Sequence, residues 1–308
     1  MNNLIIQNKY NISTFSGDSI DRYVSRYIYT LQISGKAKGT LKVYGNRLLS
    51  FVAWYRDTIH VGSYKDQLLI YRNHLIATYT SAKSINLMLS VVRSFWKWLF
   101  ENDLIDHDPT RKIKNVADQQ HLKKSALTKE ELSTIFDYLR TNTDPQNKRD
   151  RMLFVLLVTT GIRINEASNI TIEDIRKKDG RNVVYLLRKG YIDKSNYVKI
   201  PSNTFALLME FIGDQKSGYI FKSLRGGERM TGETLSRVIK QILQKNGLNT
   251  KLYSAHSLRH TYAILFLENG GTIEQLMIEM NHKSITTTMN YIKSFNRMNV
   301  SIDLGIEF

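Results

Sequence analysis

The run His256-Ser257-Leu258-Arg259-His260, inside the stretch from Tyr253 to Tyr291, decides how the rest of the chain is read. Ser254 in front of it is a candidate N-cap for a helix running through Phe266. Positions 256, 259 and 260 then fall at spacings of three and four, on one helix face. A face carrying histidine, arginine and histidine suits a phosphate. The guanidinium makes paired hydrogen bonds to two phosphate oxygens, and an imidazole beside it exchanges a proton near neutral pH.

Two more groups follow at fixed distances. Asn281-His282 ends a second short helical run, 26 residues after His256, and Tyr291 comes nine residues later in Thr286-Thr287-Thr288-Met289-Asn290-Tyr291. A phenol with pKa near ~10 attacks nothing without a base or a strong positive field beside it. Upstream, the apolar run 150–159 reads as a central helix that delivers Thr160-Gly161-Ile162-Arg163-Ile164-Asn165-Glu166-Ala167 at its C-terminal end. Gly161 can stop that helix and let Arg163 enter a cleft. Glu166 then either orients an arginine or the neighbouring helix, or serves as an N-terminal helix charge.

His-x-Leu-Arg-His, the later histidine and tyrosine, and the upstream Thr-Gly-x-Arg-x-x-Glu turn together resemble the tyrosine site-specific recombinases, the group that includes phage integrases and the Xer proteins. The resemblance implies a mainly α fold with a small β-sheet in the catalytic domain. It implies that Tyr291 attacks a phosphodiester, expels a 5′-hydroxyl and forms a 3′-phosphotyrosyl bond, with neither ATP nor metal. Arg163 and Arg259 would hold the nonbridging oxygens, His256 would act as base toward the phenol, and His282 would add a hydrogen bond. His260 matches the motif in a supporting place, as does Glu166.

The family's catalytic lysine lies on a β-hairpin in a Gly-Lys-Gly-like turn. Asn182 to Arg188 and Asn196 to Ile200 read as the two strands, rich in Val, Tyr, Leu and Ile, and Arg188-Lys189-Gly190 makes Lys189 the match. The connection from Lys189 to Pro201 is longer than in Xer-like members, which leaves Lys194 as a rival. Met280-Asn281-His282 departs from a common Leu-Gly-His. Helices around Asn203 to Ile212 and Thr231 to Lys245, with Tyr219-Ile220-Phe221 as a short strand between them, complete this domain.

In the N-terminal third, apolar residues recur at helical spacing in four segments: Ile20 to Leu31, Leu41 to Tyr55 after a Thr40 cap, Asp66 to Tyr79, and Ser84 to Glu101 with Leu87, Val91, Phe95, Trp98 and Leu99 inward. This four-helix unit resembles the family's SAM-like core-binding domain. Lys36, Lys38, Lys42, Arg47, Lys83 and Arg93 are its candidate phosphate contacts. The expected division is 1–105 for this bundle, 106–125 for a basic linker holding Lys112 and Lys114, 126–291 for the catalytic domain opened by the capping box Thr128-Lys129-Glu130-Glu131, and 292–308 for a tail. Val300, Ile302, Leu304, Ile306 and Phe308 alternate with polar residues or glycine, a strand pattern. Family members pass such tails between protomers; packing within its own subunit is the alternative.

Composition sets the outer bounds. The 308 residues carry 44 Lys and Arg against 28 Asp and Glu, net +16, and both halves are basic: 18 against 9 through residue 125, then 26 against 19. Two basic domains fit a clamp around double-stranded DNA, although charge alone equally allows RNA. Without cysteine there is no disulfide, thiol catalysis or Cys-ligated zinc. The start shows no signal peptide, so the expected place is cytoplasmic. The expected assembly is a homo-oligomer, a tetramer on paired recombination sites. With about 15 residues before the bundle, no arm-binding domain is expected, which points to simple inverted sites. A type IB topoisomerase and a non-catalytic DNA-binding repressor are the alternatives.

Overall fold

The computed structural model describes residues 20–58, 64–111, 113–117, 125–141, 144–188 and 193–282. Lys112, Lys189, Tyr291, the 292–308 tail and its strand pattern lie outside the described residues. The chain divides into two compact units, 1–121 and 122–308.

The first unit holds four helices, α1 (Ile20–Ile33), α2 (Lys38–Asp57), α3 (Tyr64–Thr78) and α4 (Ala82–Glu101). Their apolar stripes converge on Leu48, Phe51, Tyr71, Val91 and Phe95, all almost fully buried. Tyr27 crosses this core, its ring against Phe95 and Trp98 and its hydroxyl donating to Ser94 Oγ at 2.7 Å. The helix α2 starts earlier than Thr40 predicts: Ala37, in an extended conformation, occupies the cap position, which puts Lys38 inside the helix. Leu87 is a correction. It is 41% exposed, while Met88, Leu89 and Val92 point inward beside Val91 and Phe95. Leu87 lies on the flank of a wide apolar stripe, and such a stripe does not define its own edge.

Part of the expected linker packs on this unit. Ile113 is buried against it and Val116 rests on it. Asn86 grips Val116 at both ends of its amide, donating to the carbonyl at 2.9 Å and accepting from the N–H at 2.8 Å. Arg93, offered above as a DNA contact, points into the same segment, donating to Asn115 Oδ1 at 2.8 Å and to the Ile113 carbonyl. Lys36, Lys38, Lys42, Lys83 and Lys114 are exposed and Arg47 is half-buried.

The second unit begins with α5 (Lys129–Arg140), which carries the expected capping box between Thr128 and Glu131, and α6 (Pro145–Thr160). The apolar run makes α6 central: Met152, Leu153, Phe154, Leu156 and Leu157 are buried on several sides. Gly161 ends it in the left-handed conformation, φ 62°. A single turn, α7 (Ile164–Ala167), leads to a three-stranded antiparallel sheet in the order β1 (Ile175–Lys178), β2 (Arg181–Leu186), β3 (Asn196–Lys199). Leu186 pairs with Asn196 and Val184 with Val198. The helices α8 (Ser202–Ile212), α9 (Gly232–Lys245), α10 (Ala255–Glu268) and α11 (Ile273–Glu279) follow.

The β1 strand was not expected. Its sequence, Ile175-Arg176-Lys177-Lys178, buries no side chain fully and holds its place by pairing with β2. Conversely, Tyr219-Ile220-Phe221 does not extend into a strand. It makes one isolated bridge, Thr171 with Tyr219, flanked by two backbone bonds, Ile172 N–H to the Gly218 carbonyl and Ile220 N–H to the Ile170 carbonyl. Among the described residues no helix is long and apolar enough to cross a membrane.

Candidate active site

The residues of the decisive stretch fold as their spacing requires. Ser254 caps α10, and the first turns of that helix carry His256, Arg259 and His260. Arg259 is 3% exposed and ties three elements together. Its Nη1 donates to the Gly161 carbonyl at the end of α6 (2.5 Å), and its Nη2 donates to the Met280 carbonyl after α11 (2.8 Å) and lies 2.9 Å from His282 Nε2. A guanidinium has no acceptor, so this last bond requires an unprotonated Nε2 on His282.

Arg163 follows the left-handed Gly161. Glu166, buried, accepts its backbone N–H at 2.8 Å and its Nη1 at 3.0 Å. The Arg163 side chain keeps 41% of its surface exposed, so one carboxylate orients it without covering it. His256, one turn ahead of Arg259, remains on the open surface.

The field of this cluster is strongly positive. Desolvation lowers the His256 pKa first, and the Arg259 and Arg163 charges add to it. His282 falls to about 4, again through burial first, then Arg259, Arg163, His256 and Arg188. Both imidazoles are therefore neutral at pH 7, one with an exposed edge able to accept a proton. Tyr262, the nearest aromatic hydroxyl on α10, is pushed up to about 12 by burial and by Glu279, against the opposing pull of Arg259. That phenol stays protonated.

A stability consequence follows from His282. Its folded pKa lies below the ordinary value near 6.5, so the unfolded chain binds the extra proton more readily. Its contribution is complete above pH ~6.5 and is lost as pH falls toward ~4, amounting to about 3 kcal/mol at most. Urea unfolding at pH 7 and at pH 4.5 should show this loss in wild type, and a smaller one in His282→Gln.

The remaining sequence candidates separate. His260 is buried within the fold. Lys194 is held by Asp174 and by the Asn169 carbonyl, the latter at 2.9 Å, so its ammonium is committed to the end of the sheet beside β1. Arg188 was missed as an individual residue. It is buried at 5% exposure and close enough to lower the His282 pKa. Its signal was a single charge at the end of the apolar run Val183-Val184-Tyr185-Leu186-Leu187, where a cation needs a specific reason to be buried. Among the described residues no group of three His, Asp or Glu side chains is close enough to hold a metal ion.

Known proteins match the chain over both of its units. Residues 125–298 match the phage integrase family, and residues 24–102 match the phage integrase N-terminal SAM-like domain. The chain is 26% identical over 295 residues to tyrosine recombinase XerC of Oceanobacillus iheyensis, covering 89% of this chain and 92% of that one. It is 28% identical over 269 residues to tyrosine recombinase XerA of Pyrococcus furiosus, covering 85% and 86%. A solved lambda integrase dimer bound to a COC′ core site shares the fold with TM-score 0.73, at 20% identity over 93% of this chain and 100% of that one. A chain whose two segments match both family domains, the first of them over more than half of its length, belongs to the phage integrase family: it is a tyrosine site-specific recombinase, an enzyme that cleaves and rejoins DNA.

Proposed function

We propose that this recombinase uses Tyr291 as nucleophile and the Arg163, Arg259, His256 and His282 cluster as its phosphate site. The observation that carries the reading is the convergence of three chain segments on Arg259 next to the exposed faces of Arg163 and His256. Two arginines at a pentacoordinate phosphate stabilise the charge that develops there, the largest electrostatic contribution available to such a site. His256 is neutral at pH 7 and takes the phenol proton as Tyr291 attacks. The phosphorus–oxygen bond to the 5′-carbon side then breaks, and Lys189 gives its proton to the departing oxygen. In the DNA complex a phosphate oxygen replaces His282 Nε2 as the partner of Arg259, and His282, turned to its other neutral tautomer with the proton on Nε2, donates to the same oxygen.

The 3′-phosphotyrosyl bond keeps the energy of the phosphodiester. A 5′-hydroxyl from the second DNA reverses the attack, Lys189 now acting as base, and strands are exchanged. Residues 1–105 and 126–291 both contact DNA, with 106–125 between them, and Lys36, Lys38, Lys42, Arg47, Lys83, Lys112 and Lys114 meet phosphates. Four protomers pair two sites in the cytoplasm, with the 292–308 tail passing between neighbours. Lys194 supports the hairpin instead of serving as the acid, because its ammonium is engaged with Asp174.

The test is covalent trapping on nicked duplexes taken from the DNA flanking the gene, resolved on a denaturing gel. Wild type should give a shifted protein–DNA band, and Tyr291→Phe should give none while retaining DNA binding. A band of equal intensity with Tyr291→Phe would move the nucleophile elsewhere.

A further inference from the structure

The residue between Met280 and His282 has a demanding backbone. Asn281 sits at φ 47°, in the left-handed region that glycine and asparagine tolerate best. The turn it makes lets its two neighbours meet the same nitrogen: the Met280 carbonyl and His282 Nε2 both bond Arg259 Nη2. Glycine would satisfy that conformation alone. Asparagine adds an amide, and Asn281 Nδ2 donates to Asn196 Oδ1 at 3.1 Å.

Asn196 is the first residue of β3 and lies directly opposite Leu186, the last residue of β2. Two residues after Leu186 comes Arg188, and then the proposed general acid. A second tie runs in parallel, Lys199 on β3 to Glu279 at the end of α11, 2.8 Å. Lys194 secures the same end of the sheet to Asp174 on the far side, beside β1. The end of α11 is thus fastened to the strand pair from which the lysine-bearing connection departs.

We infer that Asn281 is a positioning residue that couples the lysine hairpin to the His282 turn, so that leaving-group protonation depends on the Asn281–Asn196 bond. The inference rests on the proposed roles of Lys189 and the phosphate site. It goes further by assigning a duty to a residue that lies outside the proposed catalytic set.

Asn281→Gly keeps the backbone and removes the amide; Asn196→Ala removes its acceptor. The full-length wild type, these two variants and their double are compared in single-turnover cleavage of a nicked duplex. The scissile 5′-bridging atom is oxygen in one substrate and sulfur in the other. A thiolate leaves without a proton, so the sulfur substrate bypasses the acid. Lys189→Ala is the reference: a large loss on oxygen and near wild-type cleavage on sulfur. Each asparagine variant should slow the oxygen substrate about tenfold and the sulfur substrate less than about twofold, and the double should be no slower than the slower single. Thermal unfolding within a few degrees of wild type confirms that the variants are folded.

Unchanged cleavage of the oxygen substrate by Asn281→Gly overturns the inference. So does equal slowing on both substrates, which would place the effect on phosphate binding, or a double variant whose losses multiply. In those cases wild type and Lys189→Ala still behave as described, so the functional reading survives. Failure of wild type to trap either substrate brings down the functional reading and this inference with it.

Discussion

Arg259→Ala should lower single-turnover cleavage at least about a thousandfold and destabilise the catalytic unit as well. The catalytic part follows from removing a charged donor from the proposed phosphate site, where a single lost oxyanion donor costs about 10²–10³ in rate. The structural part follows from the partners left behind. The Gly161 and Met280 carbonyls both accept from this guanidinium in a site where Arg259 is 3% exposed, and each loses its donor. Leaving buried acceptors unpaired costs roughly 1–3 kcal/mol apiece. Arg259→Lys should fall between: it retains charge but cannot fork to two carbonyls and an imidazole at once. Covalent trapping and urea unfolding on the same preparations separate the two effects. Wild-type stability in the alanine variant would contradict the keystone role assigned to this side chain.

Gly161→Ala should be the most damaging single-methyl change in the site. Its φ of 62° disfavours any side chain, and a Cβ built there lies 2.3 Å from Tyr262 Cδ1, with two more ring atoms within 2.9 Å. Tyr262 packs against Phe266, so the ring cannot swing aside freely. A loss of about 2–4 kcal/mol is expected from overpacking together with left-handed strain. Cleavage should drop beyond what stability explains, because the displaced carbonyl is the one that fixes Arg259, and Arg163 begins two residues later. Adding Tyr262→Ala should relieve the overlap in unfolding experiments, offset by the packing of the lost ring, without restoring the rate. If Gly161→Ala were as stable and active as wild type, the close approach of α6 to α10 would be wrong.

Much of this was legible because the responsible signals are local. Helical periodicity located the four N-terminal helices within a few residues, and Thr128-x-x-Glu131, Ser254 and Gly161 marked helix ends through hydrogen bonds made within one turn. The site's arginines and histidines were visible because their spacing on one helix, and their recurrence at set distances, form a pattern. What the sequence hid was pairwise and distant. The β1 strand has no apolar alternation and exists through its partner. Ile113 and Val116 look like linker residues until Asn86 and Arg93 are found holding their segment across 20 to 30 residues. Nor does spacing announce that Lys194 is held by a carboxylate, Asp174, that lies before β1, 20 residues away. Likewise, nothing local announces that Asn281 reaches Asn196, 85 residues away.

The attachment of Arg259 to carbonyls from two other segments also constrains how such a gene can decay. If Tyr291 is the nucleophile proposed above, a lineage that loses it keeps the Arg259 bonds that hold the cluster together, and its product can persist by occupying DNA sites. A lineage that loses Arg259 gives up the scaffold along with the chemistry. Drift should therefore leave inert descendants that still carry the arginine long after the tyrosine has gone.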